Sequence, residues 1–202
     1  MRKLYLAHGA TGSGKTTLTK ELYKRLQELG VDVAFLSTSI VKERIGLLGI
    51  MRGDPRRDEV YQELNRRIMR AFRRHQVVVV DGTYGKRSWR EPLYRHCHEQ
   101  GVHLTLMYCV CEDEAEVRRR TSARRKQWIA AKHEQRKRDR DGEGSTFRHY
   151  LSEKRHFDEV LADNFPKRMA IKIQVIDTFN ETFNSYLLND TCDVIDKALF
   201  LL

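Results

Sequence analysis

The sequence predicts an α/β chain: a three-layer α/β/α sandwich around a five-stranded parallel sheet, with an inserted basic helical lid. Three observations predict it. Short apolar runs of strand length alternate with amphipathic stretches of helical period, and parallel strands need such crossover helices. One run, Val77 to Val80, is continuously apolar, as a strand buried on both faces must be. A stretch dominated by arginine and lysine, Arg118 to Arg140, is opposed only by Glu134 and Asp139 and interrupts the alternation late in the chain. The length of 202 residues fits one domain over 1–202, with the lid at about 112–165.

The elements follow in order. Lys3 to His8 reads as the first strand, and Thr17 to Leu26 carries apolar residues at helical spacing up to Gly30, a helix-ending glycine. Val31 to Leu36 alternates as the second strand, and Ser37-Thr38-Ser39 caps a short helix through Leu48. Gly53-Asp54-Pro55 breaks the pattern. From Arg57 to His75, Val60, Tyr61, Leu64, Ile68, Met69 and Phe72 recur at three and four residues, which predicts an amphipathic helix. The valine run delivers Asp81-Gly82-Thr83 at its carboxyl end. Ser88 to Gln100 is helical with Pro92 in its first turn, and Val102 to Val110 is the fourth strand. The basic helical region is interrupted at Asp141 to Ser145, and Phe147 to Leu161 resumes helix. Ile171 to Ile176 is the fifth strand, ending at Asp177-Thr178, and Asp190 to Leu201 reads as a helical tail.

Between the first strand and the first helix lies Gly9-Ala10-Thr11-Gly12-Ser13-Gly14-Lys15-Thr16, which fits G-x-x-x-x-G-K-[S/T]. Strand, glycine loop and helix together wrap backbone N–H groups around a polyphosphate. The motif predicts ATP as ligand, gripped from Gly9 to Thr17, with the Lys15 ammonium on the β- and γ-phosphates. The Thr16 hydroxyl and the Asp81 carboxylate are the expected Mg²⁺ ligands. In an open parallel sheet the ligand lies beyond the carboxyl ends of the strands. The glycine loop, Ser39, Asp81 to Thr83, the start of the basic region and Asp177 all emerge at that edge.

These residues resemble the compact P-loop kinases: adenylylsulfate kinase, the zeta-toxin kinases, bacteriophage polynucleotide kinase and the AAA-type predicted kinases. The likeness covers nearly the whole chain. It rests on the glycine loop, on Asp81-Gly82-Thr83 followed by Arg90, on the pair Arg120 and Arg124, and on Val175-Ile176-Asp177-Thr178. The stretch from Asp81 to Arg90 is also similar to its counterpart in kinases acting on seryl-tRNA. The resemblance implies that Arg120 and Arg124 close from the lid over the γ-phosphate and that Lys15, Asp81, Arg120 and Arg124 are catalytic. It further implies that Ser39, Lys42, Thr83 and Arg90 contact the acceptor. Where that family has Ser-Asp-x-x-Arg after its second strand, this chain has Thr38-Ser39-Ile40-Val41-Lys42, so Ser39 replaces the presumed general base. Three readings stay open: Asp81 is the base, Asp54 or Asp58 swings in, or the acceptor is itself an anion clamped by Lys42, Arg44 and Arg90.

A net charge of +10 predicts an anionic partner. That leaves several function classes. The first is a kinase acting on an anionic or hydroxyl-bearing small molecule. Others are a polynucleotide 5′-hydroxyl or tRNA-directed kinase, a nucleoside monophosphate kinase, and an ATP-binding module or slow ATPase without an acceptor. Nucleic acid as a partner is favoured by the basic stretch, and opposed by the lack of a stacking array. Tyr84 and Trp128 are candidate stacking groups for a base or sugar, although such residues more often serve a core or hinge. No apolar run approaches a bilayer span, so no membrane partner is expected. Four cysteines without a C-x-x-C pair point to a cytoplasmic location and to no disulfide framework.

Overall fold

The computed structural model describes residues 1–50, 53–131, 146–162, 171–178 and 182–186. Its strands are β1 (Lys3–His8), β2 (Val33–Ser37), β3 (Val77–Asp81), β4 (His103–Val110), β5 (Lys172–Asp177) and β6 (Thr182–Tyr186). Its helices are α1 (Lys15–Glu28), α2 (Thr38–Arg44), α3 (Arg57–Ala71), α4 (Arg87–Glu99), α5 (Glu114–Ala130) and α6 (Phe147–Ala162). One sheet holds the strands in the order β2-β3-β1-β4-β5-β6. The first five are parallel, as the sequence predicts. β6 adds an antiparallel edge, pairing Asp177 with Thr182 and Ile173 with Tyr186. An antiparallel neighbour needs only a short connection, so it leaves no long helical signal in the sequence.

Alternation along the strands sorts side chains to two faces. Leu4, Leu6, Val78, Val80, Leu104 and Leu106 pack with Val41 of α2, Val60, Leu64 and Ile68 of α3, and Leu93 of α4. Tyr5, Ala7, Val77, Val79 and Met107 pack on the other face with Leu22 and Leu26 of α1. β3 is the only strand drawn from four consecutive valines, and each is at most 1% exposed. Burying each such side chain stabilises the fold by roughly 1.5–3 kcal/mol. A third cluster seats the lid: Tyr108, Val110 and Cys111 meet Val117 of α5 and Tyr150 of α6. The Tyr150 hydroxyl donates to the Cys111 carbonyl at 2.7 Å.

Helix ends follow local chemistry. The Ser37 Oγ accepts from the Ile40 amide and the Asp113 carboxylate from the Glu116 amide, each satisfying an orphan N–H. α1 closes on Gly30, whose left-handed backbone lets its amide reach the Gln27 carbonyl. Two expected lengths shorten: α2 stops at Arg44, and α3 stops at Ala71 before a turn through Arg74. α4 begins at Arg87, one residue earlier than its periodicity suggests, which puts Pro92 inside the helix rather than in its first turn. The interruption at 141–145 and the tail at 190–201 lie outside the described residues.

Register brings the strand ends together, with Ser37 opposite Asp81 and Val110 opposite Asp177. β1 sits centrally, so the loop after it opens where β3 and β4 diverge to either side. Gly9 leaves β1 at φ +136, and a Cβ there would lie 2.3 Å from the Cys109 carbonyl oxygen. We predict that Gly9→Ala destabilises the protein by about 2–4 kcal/mol, combining strain with a clash against backbone. Gly30→Ala, positive in φ but with nothing within 4 Å, should cost only about 1–2 kcal/mol. Urea unfolding of the two variants checks the difference.

Candidate active site

The glycine loop is shaped from both sides. Gly14 precedes α1 at φ +81, and a Cβ there would meet the Thr178 Oγ1 at 2.7 Å. The Thr178 hydroxyl in turn lies 3.0 Å from the Ser13 carbonyl and 3.1 Å from the Val110 carbonyl, and accepts from Arg120 Nη1 at 2.8 Å. One side chain at the end of β5 therefore ties the loop, β4 and the lid helix α5 together.

Beyond the strand ends lies a cavity of about 600 Å³. The loop lines it with Thr11, Gly12, Gly14, Lys15, Thr16 and Thr17. Thr38 and Ser39 come from α2, Asp81, Gly82 and Thr83 from the end of β3, and Arg119, Arg120 and Arg124 from α5. Thr16 Oγ1 donates to the Asp81 Oδ2 at 2.8 Å. A hydroxyl and a carboxylate thus share one point at the start of α1, a hard-oxygen pair of the kind Mg²⁺ uses when phosphate and water complete its shell. Among the described residues no group of three His, Cys, Asp or Glu could hold a metal by itself.

Lys15 donates from Nζ to the Ala10 carbonyl at 2.7 Å. The residue keeps some surface open to the cavity, yet enclosure of its ammonium pushes the pKa below the usual lysine range, against the pull of Cys109, Glu153 and Asp81. Burial pushes the Cys109 thiol the other way, to about 12, so this cysteine is inert core. Cys111 is also buried.

Arg120 and Arg124, one turn apart, both reach the cavity. Arg120 is anchored by Thr178 and by Glu116, whose carboxylate takes Arg119 at 2.6 Å and Arg120 at 2.7 Å. Those bonds hold the Glu116 carboxyl down to about 2. Arg119 also lines the cavity, whereas the Arg118 guanidinium stacks 3.7 Å from the Phe147 ring centroid.

Several candidate residues sit away from the cavity. Arg90 is 6% exposed and donates to the Tyr84 and Gly85 carbonyls at 2.8 and 2.7 Å. It holds the turn after β3, where Tyr84 has a φ of +44, and does not line the cavity. Lys42 and Arg44 lie on α2 but do not line the cavity either. Tyr84 is fully buried and bonds Asn65 at 2.7 Å, a core residue rather than a stacking platform. The proposed carboxylates also turn elsewhere: Asp54 pairs with Arg56 at 2.7 Å, and Asp58 accepts from the Trp89 indole at 2.7 Å.

Two residues that sequence reading missed stand in the cavity wall. Arg57 opens α3 immediately after the Gly53-Asp54-Pro55 break, a position that could have singled it out. Glu153 of α6 accepts from the Thr11 amide at 2.6 Å. No spacing in the sequence links residues 142 positions apart.

The family model described as AAA domain, AAA_33, matches residues 4–142. The chain belongs to that family. No curated protein matches this AAA domain in sequence. Among solved structures, Kti12 of Chaetomium thermophilum in complex with ADP-AlF3 is 13% identical with a TM-score of 0.58, covering 87% of this chain and 89% of its own. A chain from the PezAT toxin–antitoxin system of Streptococcus pneumoniae is 14% identical with a TM-score of 0.59, covering 100% of this chain and 79% of its own. At such identities the likeness is one of fold, and the fold is that of P-loop NTPases. No helix of the described residues is long and apolar enough to cross a membrane.

The Glu153 contact has a measurable consequence. Backbone amides of this loop are built for anions, and a carboxylate already occupies one of them. Glu153→Gln should tighten ATP binding about three- to tenfold, since a charge-assisted bond and a like-charge repulsion are both removed. Calorimetric titration of the full chain with Mg²⁺ and ATP reads the change.

Proposed function

We propose that the protein is an ATP-dependent kinase that passes the γ-phosphoryl group of ATP to a hydroxyl on a small-molecule acceptor. The observation that carries this reading is the Thr16–Asp81 bond at 2.8 Å, set inside a cavity that also collects Lys15, Arg120 and Arg124. Arginines from α5 beside the loop are placed for phosphoryl chemistry rather than for nucleotide binding alone.

In this reading the amides from Ala10 to Lys15 hold the β-phosphate, and Lys15 leaves the Ala10 carbonyl to bridge toward the γ-phosphate. Mg²⁺, held by Thr16 and Asp81 with phosphate oxygens and water, would neutralise charge on the β- and γ-phosphates. Arg124 meets the equatorial oxygens of the transferring group, and Arg120 keeps α5 in register with the loop. The bond from the γ-phosphorus to the β–γ bridging oxygen breaks as the bond to the acceptor oxygen forms. The acceptor proton leaves for water or for an oxygen of the transferred phosphate. Thr38, Ser39, Gly82 and Thr83 form the wall on the acceptor side.

Such chemistry is alignment and charge compensation more than covalent catalysis. Lys15→Ala should abolish turnover. Asp81→Asn should lower kcat by about 10²-fold or more while ATP still binds, because the metal and not the loop is lost. Arg124→Ala should cost roughly 10³-fold if it acts on the transition state as an arginine finger does. ADP release with acceptor panels, alongside calorimetric ATP affinity, measures all three. An Asp81→Asn variant with wild-type kcat would rule out its metal role.

A further inference from the structure

Among the described residues, two buried polar groups in and behind the far wall of the cavity lack a hydrogen bond of full geometry. Arg57 lines the cavity, and its Nε is buried with no hydrogen-bond partner. Tyr61, one turn further along α3, is 1% exposed, and its hydroxyl also lacks a partner at bonding geometry. Burial pushes the Tyr61 phenol up, while Arg57, Thr83 and the Tyr84 amide, its polar neighbours behind the cavity wall, pull it back. Buried donors are normally satisfied, so a buried guanidinium Nε in the cavity wall calls for an acceptor inside the cavity.

Charge points the same way. Lys86 and Arg57 both lie against Trp89, at 4.9 and 5.7 Å from its centroid. Lys86 is matched by Asp58 at 3.3 Å. Arg57 forms no ion pair with the described residues. Tyr61 stacks on Trp89 at 3.9 Å, so an aromatic shelf keeps the guanidinium from drifting. A guanidinium offers a planar fork of N–H groups that fits a phosphate or carboxylate better than any neutral partner.

We propose that Arg57, with Thr83 beside it and Tyr61 behind it, is a subsite for a compact oxyanion, a phosphate monoester carried by the small-molecule acceptor. This rests on the kinase reading, in which the cavity beside the loop is the acceptor site. Arg57 contacts the anion directly, and Tyr61 positions the guanidinium.

The test uses the full chain with Trp128→Phe, which leaves Trp89 as the sole tryptophan beside Arg57. The loop is first filled with Mg²⁺ and a β,γ-imido analogue of ATP, its binding verified by calorimetry, so that added phosphate cannot enter there. Ribose 5-phosphate, inorganic phosphate, plain ribose and a dinucleotide are then titrated against Trp89 fluorescence. Ribose 5-phosphate and phosphate should saturate, and ribose should not. Arg57→Gln should weaken the phosphate probes at least tenfold, Arg57→Lys less so, and Tyr61→Phe about threefold, all with unchanged nucleotide affinity. Affinity for the phosphate probes that is equal in Arg57→Gln, or no saturation while the analogue is bound, overturns the subsite and leaves the kinase reading standing. A response to the dinucleotide alone overturns its assignment to a small molecule. Failure of the analogue itself to bind removes both.

Discussion

The Thr178 hydroxyl is the point on which the site depends. It lies within bonding distance of two carbonyls on separate segments, Ser13 of the loop and Val110 of β4, and it accepts from Arg120 of α5. Gly14 approaches it so closely that any side chain there would displace it. A glycine loop is free to adopt many conformations when left alone. Here its shape is dictated by a rigid strand end, which is in turn held by five parallel strands in register. Rigidity for the anion site comes from the sheet, and position for the lid arginine comes from the same side chain.

Charge inside the cavity is closely balanced. Lys15, Arg57, Arg119, Arg120 and Arg124 face Glu21, Asp81, Glu116, Glu153 and Asp177. Five cations against five carboxylates leave the lining formally neutral, although the whole chain carries +10. A triphosphate entering this space gains little unless some carboxylates change role. Glu116 is already spent on two arginines. Asp81 becomes favourable once a divalent ion sits between it and the phosphates. Glu153 alone competes for the same amide donors, and it arrives on α6, so leaving the loop means shifting that helix or its rotamer.

Much of this could be read from residues alone, for physical reasons. The glycine loop depends on glycine and lysine at fixed spacing, and period-two and period-four patterns placed the five parallel strands and most helix starts. What escaped depended on contacts between distant segments. Arg90 and Arg57 are both arginines in or near the first turn of a helix, and spacing favours Arg90. The turn at Tyr84, positive in φ, aims two carbonyls at Arg90 and buries it, which leaves Arg57 to face the cavity. β6, Thr182 to Tyr186, mixes Phe183 and Tyr186 with Thr, Asn and Ser without strict alternation, so its strand character comes from pairing with β5. Glu153 meets Thr11 only because α6 packs on the third cluster through Tyr150.

Ser39 in place of a carboxylate looks at first like a defect, since a serine is no base at neutral pH. The structure leaves the position exposed in the cavity wall, with Asp54 and Asp58 each committed elsewhere. In a loose transition state the incoming oxygen forms little bond before the leaving group departs, so its proton need not be removed early. What such a transition state requires is in-line placement of the hydroxyl and cations around the equatorial oxygens. On the proposed kinase reading a second anchor on the acceptor would supply the first, and Lys15 with the α5 arginines would supply the second. Losing a base, on that reading, costs less than losing an anchor, and Arg57 in the cavity wall is the guanidinium placed to serve as one.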